Sequence, residues 1–306
     1  MSFWLPCHSY RLVTSRTEPI ITIRSRNRTT AANIVAGSKA AAIRLMTTRS
    51  AAPPEALFAR DGYLQIDSLT TPQDIARVRS LLDPLFDRFD SIGQNAIDIA
   101  GPQEKGAAPR SPEINEAIHF EPELRRTETF ARCRELARRI LGVPVGYVFD
   151  HAIYKPPNNN APTHWHQDEG YNRQPIPLWS VHFWIPLQPV NVENGCMWFV
   201  PGSHLNGLLP HHVAHKRAGG ATADSIGATI ATKTVDASRA IACPLAIGGA
   251  TAHHPLTLHY TGANHSDSYR RAWILHFAAF GFFRFRLHPK CIAKRVRDMV
   301  SASTNE

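Results

Sequence analysis

The chain has 306 residues, 43% hydrophobic and 19% charged, enough to bury a full core in one large domain or two small ones. Its net charge of +9 is concentrated in residues 1–50, which hold eight of the 34 Lys and Arg and a single acid, Glu18; the rest carries only +2 and has no basic stripe, which argues against a nucleic-acid partner. No run approaches the roughly 18 apolar residues of a membrane helix, and five scattered cysteines without a CxxC pair signal neither a disulfide framework nor a cysteine zinc site.

In chain order, residues 1–50 come first, rich in Arg, Ser, Thr and Ala. They read as a disordered tail, an organellar transit segment, or a start placed too early with Met46 as the true first residue. The expected location is cytoplasmic, or the mitochondrial matrix if the segment is a transit peptide, and residues 51–306 are expected to form a single domain. The run TTPQDIARVRSLLDPLFDRF predicts an amphipathic helix: Thr71 as N-cap, Pro72 at the first helical position, and Ile75, Val78, Leu82 and Leu85 at helical spacing. Residues 90–117 are punctuated by Gly and Pro and read as a long loop. A second helix is expected over about 122–141, closed by Gly142.

Beyond that point the pattern changes to strands. VGYVFDHAIYKP, WSVHFWIPL, CMWFV, GATIATKTV and RAWILHFAAF are β-branched or aromatic runs divided by turn residues. Helices first and short strands afterwards argue an α+β chain, mainly β, with an antiparallel sandwich or barrel.

The stretch THWHQDEGYN, residues 163–172, carries the chemistry. If residues 164–168 are extended, His164, His166 and Asp168 share one face, with Trp165 and Gln167 on the other. An imidazole and a carboxylate so spaced suit Fe(II), Mn(II) or Zn(II), and a third ligand must come from elsewhere. Residues 248–273 offer His253, His254, His259 and His265, then Arg270 and Arg271. No glutamate lies between these histidines, so this is not a zinc-protease helix. Two histidines and a carboxylate form the facial arrangement of non-haem iron oxygenases, and an arginine beyond them is a two-pronged clamp for a carboxylate.

With HQD, then ENGCMWFVPGSH, then HHPLTLH followed by TGAN and RRA, the chain from about Phe58 to Phe280 resembles the phytanoyl-CoA dioxygenase family of Fe(II)- and 2-oxoglutarate-dependent oxygenases. The resemblance implies iron on His166, Asp168 and His259, and the far carboxylate of 2-oxoglutarate on Arg270. Thr261 would help bind that carboxylate and Trp184 would border the cosubstrate. The implied fold is a double-stranded β-helix, a cupin-like jelly roll, with the N-terminal helices as buttress. The implied activity is hydroxylation of a small organic metabolite or lipid-like acid with O2, releasing succinate and CO2.

Other residues have plainer expectations. His182 and His204 read as structural, Glu169 as a surface or entrance carboxylate, and Arg271 as a surface or packing residue. His253 and His254 are either supports for the ligands or packing residues. HHVAH, residues 211–215, reads as a solvated loop, and Tyr171, Trp179 and Trp198 as pocket or core aromatics. Two alternatives compete: a cupin-type metalloenzyme, such as an isomerase or a dioxygenase needing no 2-oxoglutarate, and a non-catalytic jelly-roll binding protein. Oligomeric state is not legible.

Overall fold

The computed structural model describes residues 23–24, 52–101, 108–171, 178–215 and 229–279. Apart from Ile23–Arg24, the basic N-terminal segment lies outside the described residues. The strands are β1 (Ile23–Arg24), β2 (Tyr63–Ile66), β3 (Ala96–Asp98), β4 (Pro112–Asn115), β5 (Val145–Lys155), β6 (Thr163–His166), β7 (Ser180–Pro186), β8 (Met197–Phe199), β9 (His212–His215), β10 (Thr229–Ala231), β11 (Ile241–Cys243), β12 (Ala250–His253), β13 (His259–Thr261) and β14 (Arg270–Ala279). They form an antiparallel large sheet ordered β1-β2-β12-β7-β14-β5-β4-β3, a smaller one ordered β11-β8-β13-β6, and a β10-β9 ribbon. Two antiparallel sheets with helices on one face make the expected jelly roll.

The helices are α1 (Pro54–Asp61), α2 (Pro72–Asp87), α3 (Ala117–Phe120) and α4 (Glu128–Leu141). In α2 the Thr71 hydroxyl accepts from the Asp74 amide, as the cap pattern predicts, and Ile75, Val78, Leu82 and Leu85 are all buried. The second expected helix starts later than predicted. Residues Pro122–Arg126 form a separate 3-10 turn, and Thr127 caps α4 by accepting from Phe130 N. Asp74 fixes that break, its carboxylate accepting from the amides of Glu128 and Thr129 and from the Thr129 hydroxyl. A carboxylate there also offsets the partial positive charge of the helix start. Gly142 ends α4 at φ 66°, a conformation that favours glycine.

Residues 90–117 are not one long loop. They contain part of a 3-10 turn (Phe89–Asn95), then β3, β4 and the start of α3, with 102–107 outside the described residues. Asp98 closes this hairpin by accepting from the amides of Ala100, Arg110 and Ser111. The closing contact spans thirteen residues, so local Gly and Pro content masks it.

Alternation along β14 separates two cores. Trp273, Leu275 and Phe277 face the helices and join a cluster with Phe130, Leu136 and Phe183. Ala272 and Ile274 face the smaller sheet and pack with Ile153, Trp184, Met197 and Phe199. Phe277 is fully buried, and its truncation to Ala would cost about 3–5 kcal/mol. Helix-side packing thus holds the large sheet rigid, while its inner face carries the polar groups described next.

Candidate metal centre

Strand β6 ends at His166, and a 3-10 turn begins at Asp168, so the extended geometry expected over 164–168 stops two residues early. The turn nevertheless brings the HxD pair together. β13 pairs with β6 so that His259 lies opposite His166, with ring centroids 4.1 Å apart. Asp168 Oδ1 stands 3.3 Å from His166 Nε2 and 3.2 Å from His259 Nε2. One ligand atom from each of these three residues lies within 4.8 Å of the others, a spacing that can hold one metal ion.

The tautomers suit metal binding. His166 Nδ1 donates to the His164 carbonyl at 2.7 Å, and His259 Nδ1 donates to the Thr257 carbonyl at 2.9 Å. Both Nε2 lone pairs are therefore free to face a cation. Burial, then the neighbouring His259, push His166 below its ordinary value, which favours the neutral imidazole that metals require. Burial opposes charge on Asp168 too, yet His259, His166, His182 and His253 together hold it well below the carboxylate range.

The other oxygen of Asp168 is spoken for. Oδ2 accepts from His182 Nδ1 at 2.6 Å and from His253 Nε2 at 2.9 Å. A carboxylate can only accept, so both nitrogens carry hydrogen, and Oδ1 alone is aimed at the metal position. His182 is thus not merely structural, and His253 supports the ligand set rather than simply packing. Their atoms and Asp168 also lie within 4.8 Å of one another, but both rings donate to the carboxylate, which marks them as its holders. Register explains why the sequence hid this: β12 and β7 place His253 directly opposite His182.

Gln167 locks the turn from behind. It is fully buried, its amide nitrogen donating to the carbonyls of Gly207 and Leu256 while its oxygen accepts from Leu209 N. Glu169, expected at the surface, is 8% exposed, and its amide donates to the Pro255 carbonyl. The 3-10 turn folds it inward where an extended chain would point it out. His204 Nε2 donates to the Ala59 carbonyl, a structural role as expected.

The predicted cosubstrate residues gather at the other end of the inner face. Arg270 is 1% exposed, and its Nε and Nη1 have no hydrogen-bond partner. It lies over the ring of Trp184 at 5.6 Å and opposite Lys155 in the β14-β5 register. Lys155, also fully buried, donates to Thr261 Oγ1 at 3.1 Å and to the Gly262 carbonyl at 2.8 Å. Burial pushes Arg270 down to about 9, and burial followed by Arg270 pushes Lys155 well below its ordinary value. A buried guanidinium beside a buried amine that can take up a proton suits an anionic ligand. Sequence reasoning passed over Lys155, although it continues the inward series His151, Ile153, Lys155 along β5. Arg271 points outward, bonding Asp83 and stacking on Tyr154 and Tyr269.

Among the pocket candidates, Tyr171 sits edge-on to His166, whereas Trp179 packs on the helix-side core and Trp198 against the inner cluster. His211 is not simply solvated: its Nε2 accepts from Gln167 N, and the run continues into β9.

Comparison with known proteins places the chain among oxygenase-like relatives of the same fold. The chain is 30% identical to EvdO2 from Micromonospora carbonacea var. aurantiaca, solved in complex with 2-oxoglutarate, with a TM-score of 0.62 over 77% of this chain and 94% of that one. SnoN, solved with Fe3+, alpha ketoglutarate and nogalamycin RO, shares the fold at 24% identity and TM-score 0.55, over 74% of this chain and 82% of that one. Phytanoyl-CoA dioxygenase domain-containing protein 1 of Danio rerio is 27% identical over 53% of the chain and 55% of its own length, so the chain spans about half the length of this curated relative. The Caenorhabditis elegans homologue of that protein is 24% identical over 72% of this chain and 88% of its own length. The model of the phytanoyl-CoA dioxygenase (PhyH) family matches residues 58–272, and the chain belongs to that family.

Proposed function

We propose that the protein is an Fe(II)- and 2-oxoglutarate-dependent dioxygenase that hydroxylates a small organic metabolite or lipid-like acid. His166, Asp168 and His259 would hold the metal through Nε2, Oδ1 and Nε2. The observation that carries the reading is the pairing of that triad with Arg270, whose buried, unpartnered guanidinium fits the far carboxylate of 2-oxoglutarate. A metal site that used no such cosubstrate would have no use for the buried Arg270 and Lys155 together.

When bound, iron and 2-oxoglutarate activate O2 and supply the oxidising power, releasing succinate and CO2. The chain's own residues bind and orient. Lys155, opposite Arg270, donates to Thr261 Oγ1, which leaves that hydroxyl's own hydrogen to offer to the same carboxylate. Trp184, 3% exposed, walls that end against water. His182 and His253 hold Asp168 with one oxygen toward the metal and the other satisfied. The retained carboxylate favours hydroxylation.

An anaerobic titration with Fe(II) and then 2-oxoglutarate tests this reading. The expected result is the weak visible charge-transfer band of the chelate, lost in Arg270→Ala. Iron binding with no band would instead favour the cupin-type enzyme.

A further inference from the structure

Beyond the ligand set, the inner face of the large sheet ends in a polar wall that neither metal nor cosubstrate binding uses. It consists of Glu113 on β4, His151 on β5 and His276 on β14, with Phe149 beside them. Glu113 Oε1 and His151 Nδ1 form a close ion pair. His276 stacks parallel on His182 with ring centroids 3.6 Å apart, one ring away from the imidazole that holds Asp168. His276 Nε2 is buried with no hydrogen-bond partner. Phe149 meets the rings of His151 and His276 at 5.5 and 5.4 Å.

This is the open end of the site. The side chains of His151 and Asp168 are each 18% exposed, whereas Lys155 and Arg270 at the other end are 0% and 1% exposed as residues. Tyr171, 46% exposed and edge-on to His166, flanks the same mouth. A substrate that enters from this end meets the wall on its way to the metal position.

The wall's one acid is paired with a neighbouring imidazole. Burial opposes a proton on His151, but Glu113 beside it prevails and raises the imidazole. Burial, then His182, keep His276 neutral. Among the described residues of the wall, no free cation stands to meet a polyanion such as a CoA thioester. An alkyl chain would cover Glu113 without offering it a hydrogen bond and would leave His276 Nε2 unpartnered. A hydroxyl group both donates and accepts, so it can meet either residue, while a carbon ring can lie on Phe149.

Resting on the oxygenase reading above, we infer that this wall is the substrate subsite. It selects an uncharged, polyhydroxylated ring compound of the glycoside or cyclitol class, whose hydroxyls meet Glu113 and His276.

The test measures succinate release by the full Fe(II)-loaded chain with four probes: methyl α-glucoside, myo-inositol, decanoyl-CoA and palmitate. At least one of the two polyols is expected to stimulate release about tenfold or more, and neither anion to do so. For that polyol, Glu113→Gln and His276→Phe are expected to raise KM about tenfold, the cost of one hydrogen bond to a charged or desolvated group. KM for 2-oxoglutarate should stay within about twofold, a split that general misfolding would not give. Stimulation by decanoyl-CoA or palmitate, no stimulation by either polyol, or an unchanged polyol KM in both variants would overturn the inference. Failure of 2-oxoglutarate to give the charge-transfer band is separately visible, and would overturn the oxygenase reading and this inference with it.

Discussion

Strand β14 ends in two different chemistries. At its first residue Arg270 lies almost wholly buried beside Lys155, with two guanidinium nitrogens unpartnered. Six residues on, His276 stacks on His182 within a polar row that includes Glu113 and His151. The first end is built for a single anion of fixed shape, because unpaired buried charge tolerates little else. The second offers adaptable hydrogen bonding at a partly wet surface. One strand can thus hold a constant cosubstrate and leave substrate choice to residues five or six positions away.

The largest effect should come from the group between the two ends. Asp168→Ala is expected to reduce succinate release to background while circular dichroism stays native, since the cores on either side of the large sheet are untouched. Next comes the buried end. Arg270→Met should weaken 2-oxoglutarate binding by about 2–5 kcal/mol, as when one partner of a buried charge pair is truncated. The same substitution should raise the melting temperature of cosubstrate-free protein, because an unpaired buried guanidinium is removed. If that temperature falls, the buried end is not strained in the way the comparison requires.

A smaller loss is expected from the residues that aim the carboxylate. His182→Phe or His253→Phe should lower Fe(II) affinity by about 10–100-fold, measured by competition with a chelator, and leave the 2-oxoglutarate end intact.

The pH dependence sharpens the contrast further. Lys155 is held well below its ordinary value by burial and then by Arg270, and an arriving carboxylate raises it again. Affinity for 2-oxoglutarate should be full below the lysine's value in the free protein and fall as pH rises through it. Calorimetry in buffers of different ionisation enthalpy should show proton uptake on binding, absent in Lys155→Met. For folding without cosubstrate the sign is the reverse. The unfolded chain binds the extra proton, so stability rises with pH through the same window.

The smallest effect belongs to the neighbour. Arg271→Ala should cost about 0.5–1 kcal/mol of stability in denaturant unfolding, through its part-exposed pair with Asp83, and leave KM for 2-oxoglutarate unchanged.

What the sequence made legible follows from the range of the interactions. The α2 stripe and its cap lie within one segment, and so does the HxD pair, so spacing alone exposes them. Arg270 and Arg271 separate onto opposite faces because a strand alternates. The supporting groups did not show. His182 and His253 acquire their role only through the β7-β12 register, Lys155 only by facing Arg270 across β5-β14, and β3 only through the Asp98 contacts that close its hairpin. Glu169 was misplaced because a 3-10 turn replaced an assumed strand, a substitution of backbone geometry that residue types alone do not announce.

Gln167 has a further consequence, for the order of assembly. Its buried amide joins the ligand turn to Gly207, Leu209 and Leu256, segments 40 to 89 residues away along the chain. Contacts of such sequence separation form late, because closing long loops must precede them. The chain should therefore complete its centre at the end of folding and acquire iron as a finished vessel. In a zinc finger, by contrast, the metal organises the chain.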